Sequence, residues 1–500
     1  MGDLLGNLEL GFSVALTLQN VGLAFLGCLV GTLIGVLPGV GPIATITMLL
    51  PVTFGMEPVS ALIMLAGIYY GAQYGGSTTA ILVNIPGEVT AVVTTLDGHV
   101  MAKQGRAGVA LGIAAIGSFF AGTFATLVIA GLATPLTRVA LIFGPAEYFS
   151  LMVTGLVFAV VLARGSIPKA MAMLLVGLLL STVGTDLETG AERMTFGWAP
   201  IADGVDFAVL AMGIFGFAEV MRNLDHTEKR DVVQAPIGRL LPSLDDLKRS
   251  VGPVLRGSFV GASLGILPGN GAVLGPFASY TLEKKLAKDS RRFGRGAIEG
   301  VAGPESANNA GAQTSFIPLL TLGIPPNAVM ALMVGAMTIH GIVPGPLVMT
   351  RSPHLFWGLI ASMWIGNLML LVINLPLVGL WVRFLRVPYR LMVPAILLFS
   401  CIGIYSVNNS ATDVLLTATF AVFGYGLAKL GFEPAPLLLG YVLGRLMEEN
   451  LRRALAIGRG DLMTFVQRPV SAGLLVVAVL VLAIAVAPSI RKRREEVFQE

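Results

Sequence analysis

Residues 31–42 read Gly-Thr-Leu-Ile-Gly-Val-Leu-Pro-Gly-Val-Gly-Pro, inside a long apolar run. A helix would ordinarily continue through such a run. Gly35, Pro38, Gly39, Gly41 and Pro42 oppose it. Proline withholds a backbone donor and clashes with the preceding turn. Each glycine costs about 1 kcal/mol against alanine in a helix. In hydrocarbon, a broken backbone must be buried in protein or line a cavity. The phrase returns as Gly261-Ala-Ser-Leu-Gly-Ile-Leu-Pro-Gly-Asn-Gly-Ala272, with Gly31, Gly35, Leu37, Pro38, Gly39 and Gly41 matched in register. Paired interruptions in two halves of a chain are the best sequence pointer to a transporter's binding site.

Composition agrees with membrane depth. The chain is 55% hydrophobic and 12% charged, with mean hydropathy +0.81, where a soluble domain carries about 25% charged residues. It reads as an all-α polytopic membrane protein, with roughly 10–12 transmembrane segments of about 20 residues. The net charge of +4 comes from short basic clusters between apolar runs. Such clusters set membrane orientation and do not suit nucleic acid. Cys28 and Cys401 make no disulfide framework. His99, His226, His340 and His354 lack ligand spacing, so no metal site is expected. Without a phosphate loop, nucleophile elbow or His-Glu-x-x-His, the chain reads as no enzyme and needs no cofactor. Asp3 and Glu9 precede the first apolar run without Lys or Arg. That is not a signal peptide's basic region, so targeting is expected from the spans.

Residues 9–30 read as one apolar helix, and further spans fall near 108–133, 147–163, 168–185 and 206–221. Lys103 and Arg106 make one loop basic, as do Arg164 and Lys169 the next short turn. The 186–206 loop is acidic, with Asp186, Glu188, Glu192, Asp203 and Asp206 against Arg193. Basic loops are expected in the cytoplasm and the acidic one outside, where it could meet a binding protein. This divides the chain into a first transmembrane repeat (1–221), a cytoplasmic linker with an interfacial helix capped by Ser243 (222–256), a second repeat (257–450), and a final span with a basic cytoplasmic tail (451–500). The 283–295 loop holds Lys284, Lys285, Lys288, Arg291, Arg292 and Arg295, whereas its counterpart at 51–58 has no basic residue. Equivalent loops of unlike charge argue for inverted-topology repeats, with 257–282 a re-entrant hairpin. One segment disagrees: Arg445, Arg452, Arg453, Arg459 and Arg468 would lie outside. Either 434–450 does not cross, or these arginines are an exception to the rule.

A second polar element also recurs. Gly71-Ala-Gln-Tyr-Gly-Gly-Ser-Thr-Thr79 is followed by Asn84-Ile-Pro-Gly87; Gly303-Pro-Glu-Ser-Ala-Asn-Asn-Ala-Gly-Ala-Gln-Thr-Ser315 is followed by Ile324-Pro-Pro-Asn327. A broken helix bares N–H groups at one end and carbonyls at the other. The first, with hydroxyls, suits a carboxylate; the second, with amide oxygens, suits a small hard cation. Small polar residues also let helices pack closely, and a single Ser or Thr reads that way. The two clusters together read as a site. Its candidate substrate or cation contacts are Gly39, Gly41, Ser77, Thr78, Thr79 and Gly87, with Asn270, Gly271, Asn308, Asn309, Gln313, Thr314 and Ser315. Glu305 is the carboxylate within the clusters and the candidate for ion coupling, the alternative being a solvated hairpin mouth. Asp97, Asp413 and Glu433 read as loop residues.

These motifs resemble the large membrane subunit of the tripartite tricarboxylate transporters, the TctA-type family. The likeness is carried by Gly35–Pro42, Tyr70–Thr79, Asn84–Glu88, Gly265–Gly271, Pro304–Gln313 and Leu322–Pro325, and it spans essentially the whole chain. It implies a multi-pass secondary transporter of the bacterial inner membrane that imports a carboxylate on a Na⁺ or H⁺ gradient. It also implies two partners, a periplasmic solute-binding protein and a small membrane subunit (TctB-type). An elevator-like movement follows only by analogy with similar ion transporters. The alternatives are a passive anion channel and a standalone ion-coupled carboxylate symporter.

Overall fold

The computed structural model describes residues 2–37, 41–84, 86–140, 142–163, 166–186, 188–225, 238–269, 271–384 and 389–486. They are almost wholly helical. The strands among them, Gly184–Thr185 and Glu192–Arg193, pair as one short antiparallel hairpin. Five helices among the described residues are long and apolar enough to cross a membrane: Leu18–Gly35, Ala102–Ala140, Phe207–Asp225, Pro353–Asn374 and Ala411–Lys429. Shorter apolar helices, such as Pro145–Val161, Ile167–Ser181 and Ala328–Ile339, accompany them. The chain is an all-α polytopic membrane protein.

Eight helices position the site: α1 (Leu18–Gly35), α2 (Pro42–Leu49), α3 (Pro58–Val83), α4 (Ala107–Ala140), α5 (Leu244–Gly265), α6 (Gly271–Leu286), α7 (Glu299–Thr314) and α8 (Pro353–Asn374). Local chemistry sets their ends. Pro42, Pro58 and Pro353 open α2, α3 and α8 in the first turn, where a missing N–H costs nothing. Ser243 and Asp246 form a reciprocal capping box at the start of α5. Asn84 ends α3 in the left-handed region (φ 60°), and Gly323 ends the helix Phe316–Leu322 in the same way (φ 74°). An Ile-Pro step follows each.

The apolar run near the start is two helices, Gly2–Ala15 and α1, not the single helix expected over 9–30. Thr17 divides them, its hydroxyl accepting from the Asn20 N–H. The helix opened by Ser243 is also not a separate interfacial piece, since α5 runs unbroken to Gly265. Residues 226–237 of the linker and the basic tail at 491–494 lie outside the described residues.

The repeat in the sequence reappears as a packing motif. Gly27, Gly31 and Gly35 of α1 lie on the backbone of α3. A Cβ on each would come within 2.3, 2.3 and 2.4 Å of the carbonyl oxygens of Met64, Ile68 and Ala72. In the second half, Gly257, Gly261 and Gly265 of α5 lie on α7. A Cβ there would meet the carbonyls of Gly303, Ala307 and Gly311 at 2.2, 2.1 and 2.4 Å. Backbone-to-backbone approach at one residue per turn is how helices associate when lipid gives no hydrophobic drive.

Two of the misfit arginines, Arg452 and Arg468, are engaged in ion pairs. Arg452 binds Asp186 (2.6 Å), Glu188 (2.9 Å) and Glu448 (2.7 Å), Arg193 binds Glu448, and Arg468 binds Glu147. The helix Ala435–Ile457 thus shares a face with the acidic hairpin, and its charge is largely neutralised by acids. The hydrogen bonds from Arg452 and the Glu188 N–H hold the Asp186 carboxyl down at about 2.

On another face, Asp97 is fully buried rather than in an open loop. Its Oδ1 accepts the N–H groups of Gly294, Gly296 and Ala297 at 2.9, 2.8 and 2.8 Å, and Oδ2 accepts the Tyr280 hydroxyl at 3.0 Å. Gln104 also donates to the Arg295 carbonyl. The two basic loops, 103–106 and 284–295, therefore lie together. Asp413 likewise sits in the first turn of a helix, capped by Ser410.

Candidate substrate and ion site

Within each half the two interruptions meet. The Gly269 N–H donates to the Pro326 carbonyl (2.8 Å), joining the Leu-Pro-Gly tip to the Ile-Pro-Pro turn. Gly269 has φ +86°, and a Cβ there would strike the Phe158 carbonyl oxygen at 2.3 Å, so only glycine fits. In the first half, Gly87 is wedged between the Gly35 carbonyl oxygen and Gly76, with a Cβ reaching them at 2.3 and 2.7 Å.

The polar clusters of the two halves also meet, along α3 and α7. Ser77 donates to Glu305 Oε2 at 2.5 Å, and Thr94 donates to Glu305 Oε1. Asn308 Nδ2 donates to Glu88 Oε1 at 3.2 Å, and Thr90 donates to the same oxygen at 2.6 Å. Gln73 Oε1 accepts from Thr90 at 3.1 Å. Glu305 is 1% exposed, which removes the solvated hairpin mouth as its setting. These hydrogen-bond partners of both carboxylates are neutral. An isolated charge so far from water is costly unless something compensates it.

Other candidates support the site from behind. Asn309 donates to Ser118 Oγ (2.6 Å) and to the Glu305 carbonyl (3.2 Å), tying α7 to α4. Gln313 accepts from Thr126 of α4 at 2.5 Å. Thr78, Thr79 and Thr314 bond to carbonyls of their own helices, and Ser315 bonds to Gly311 and Gly265. Gly41 caps α2 and stands in open space; Gly271 starts α6 against the Leu264 carbonyl. Gly39 and Asn270 lie outside the described residues.

The clusters ride on intact helices, because α3 runs unbroken to Val83 and α7 to Thr314. Their chemistry is therefore that of side chains, and bare backbone ends are confined to the turns. Several contributors escaped the sequence reading: Glu88, Thr90, Thr94, Tyr74, Ser118, Asn367 and Asn374. Asn367 and Asn374 did carry a signal, as amides inside an otherwise apolar span.

Between α3, α4, α7 and the end of α8 lies a cavity lined by Tyr74, Ser77, Ser118, Glu305 and Asn374, with apolar lining that includes Leu111, Leu375 and Val378. It leaves ≈ 20 Å³ for the centre of a water molecule, room for about one water or ion. No group of three or more His, Cys, Asp or Glu residues able to hold a metal exists among the described residues.

Comparison with known proteins identifies the family. Residues 21–439 match the model of the tripartite tricarboxylate transporter TctA family. An "Uncharacterized 52.8 kDa protein in TAR-I ttuC' 3'region" of Agrobacterium vitis is 57% identical over 500 residues, covering 100% of both chains. An "Uncharacterized protein in TAR-II ttuC' 3'region" of the same organism is 59% identical over 240 residues, 48% of this chain and 99% of that one. No solved structure matches. With the family match running from within α1 through α8, the chain belongs to the tripartite tricarboxylate transporter TctA family.

Proposed function

We propose that this chain is the permease subunit of a binding-protein-dependent secondary transporter. It imports a tricarboxylate-like solute across the bacterial inner membrane, driven by a Na⁺ or H⁺ gradient. A periplasmic solute-binding protein delivers the solute, and a small membrane subunit completes the assembly. The observation that carries this reading is Glu305, buried at the contact between the two halves and held by neutral hydroxyls from the first.

The electrostatics supply a coupling mechanism. A carboxylate solute brought within about 4 Å of an ionised Glu305 is opposed by roughly 4 kcal/mol at an effective dielectric of 20. A cation or proton at Glu305 removes that opposition. Solute and ion therefore bind well only together, which is what symport requires. The glycine-packed helix pairs α1–α3 and α5–α7 suit rigid-body movement as units, as an elevator needs. Inverted repeats would give that movement its two symmetric end states.

The test is uptake by proteoliposomes holding all three components, with labelled tricarboxylate and an imposed Na⁺ or H⁺ gradient. Accumulation above the outside concentration supports symport. Equilibration alone identifies a passive channel. Accumulation by this chain without its partners identifies a standalone symporter.

A further inference from the structure

The cavity beside Glu305 holds a feature that solute binding leaves unused. Asn374, the last residue of α8, is 7% exposed. Its Nδ2 donates to the Leu370 carbonyl at 2.9 Å. That bond fixes which end of the amide is oxygen. Among the described residues, Oδ1 has no hydrogen-bond partner, and Asn374 lines the cavity together with Glu305. A buried amide oxygen left unpaired calls for a donor or a cation.

We propose that this cavity is a site for one small, hard, monovalent cation of the Na⁺ class. Its ligands are the Glu305 carboxylate, Asn374 Oδ1 and the hydroxyls of Ser77, Ser118 and Tyr74. The donor set is all oxygen, with no imidazole or thiolate, which selects hard cations over transition metals. It holds one carboxylate, which balances one positive charge; a divalent ion would keep an excess buried charge. The space of ≈ 20 Å³ suits a single dehydrated ion and excludes a tricarboxylate. Asn374 is the last residue of α8, and the C-terminal end of a helix favours positive charge nearby. Asn374 belongs to neither repeated cluster, so the ion joins α3 and α7 to α8.

For its purpose the site rests on the import reading, but its occupancy is measured without transport. The purified chain in detergent is melted at fixed pH and ionic strength while NaCl replaces choline chloride. The expected result is a saturable rise in melting temperature with Na⁺. Asn374→Ala should raise the half-saturating Na⁺ about tenfold, the effect of losing one buried ligand, and Glu305→Gln should abolish the response. Should Glu305→Gln fail to fold, Ser118→Ala replaces it and should weaken Na⁺ in the same direction. Identical melting in Na⁺ and choline, or a wild-type Na⁺ response in Asn374→Ala, overturns the site. A response to pH with none to Na⁺ also overturns it, in favour of a proton. Na⁺ stabilisation without import would keep the site and sink the transport reading; import without any Na⁺ effect would do the reverse.

Discussion

Asp97 makes a sharp prediction because its bonds can be counted. One oxygen accepts three backbone N–H groups from the 290–297 segment, and the other accepts Tyr280. Taken at about 2 kcal/mol each, within the range for hydrogen bonds to a charged acceptor, three set a ceiling of roughly 6 kcal/mol on what Asp97→Ala removes. Gly294 is exposed and water can replace its lost partner, whereas Ala297 is buried. About half of the ceiling should survive, or about 3 kcal/mol, which corresponds to about a hundredfold in an opening equilibrium. The assay is amide hydrogen exchange of residues 290–297 in the purified protein. Asp97→Ala should speed it about a hundredfold and leave the buried helices α3 and α7 unaffected. Asp97→Asn keeps an acceptor but loses the charge, and should speed it about tenfold. Unchanged exchange in Asp97→Ala would refute the anchoring role.

Three further outcomes follow from the packing and the charges. Gly31→Val and Gly261→Val each push side-chain carbon into a carbonyl oxygen 2.3 or 2.1 Å from the ideal Cβ position; each should cost about 3 kcal/mol or more, read as lost membrane-embedded protein or a lower melting temperature, while Gly6→Val, with nothing nearby, should not. The folded Asp186 carboxyl titrates at about 2, below its ordinary value of 3.8. The stability it contributes is therefore present above pH 3.8 and is lost as the pH falls toward 2. Protection of the 184–193 hairpin amides, measured against their unfolded exchange rates at each pH, should fall across that window in the wild type and already be low at neutral pH in Arg452→Ala. If the repeats are inverted, a cysteine near Lys288 should be labelled only from the cytoplasm and one near Glu57 only from outside; labelling of both from one side would contradict the inversion.

Much of the framework was legible because it depends on residues close in sequence. Pro42, Pro58 and Ser243 set helix starts by their own chemistry, and the Gly35 and Gly265 repeats marked the breaks. The unexpected helix boundary at Thr17 is of the same kind, a hydroxyl cap inside an apolar run whose hydrophobicity masked it. The site was legible only in outline. Glu305, Ser77, Asn308 and Asn309 stood out as polar residues inside the two recurring clusters. Glu88 and Asp97 did not, since acids near glycines look like solvated turn residues until distant backbone closes over them. The donors that bury Asp97 come from residues 294–297, and the partner of Glu88 is Asn308. Such pairings depend on how the two halves dock, which no local pattern encodes. Arg452 and Arg468 were opaque for the same reason: their partners, Asp186, Glu188 and Glu147, lie far away along the chain.

The central claim is that the polar clusters of the two halves form one buried site that couples solute to ion. Gradient-driven uptake of labelled tricarboxylate by the complete three-component system tests it most directly, with Glu305→Gln and Asn309→Ala compared with wild type at equal amounts of membrane-embedded protein. The account predicts that Glu305→Gln no longer accumulates solute and that Asn309→Ala is slowed about tenfold or more, for loss of one buried hydrogen-bonding group. Undiminished accumulation by Glu305→Gln would contradict it.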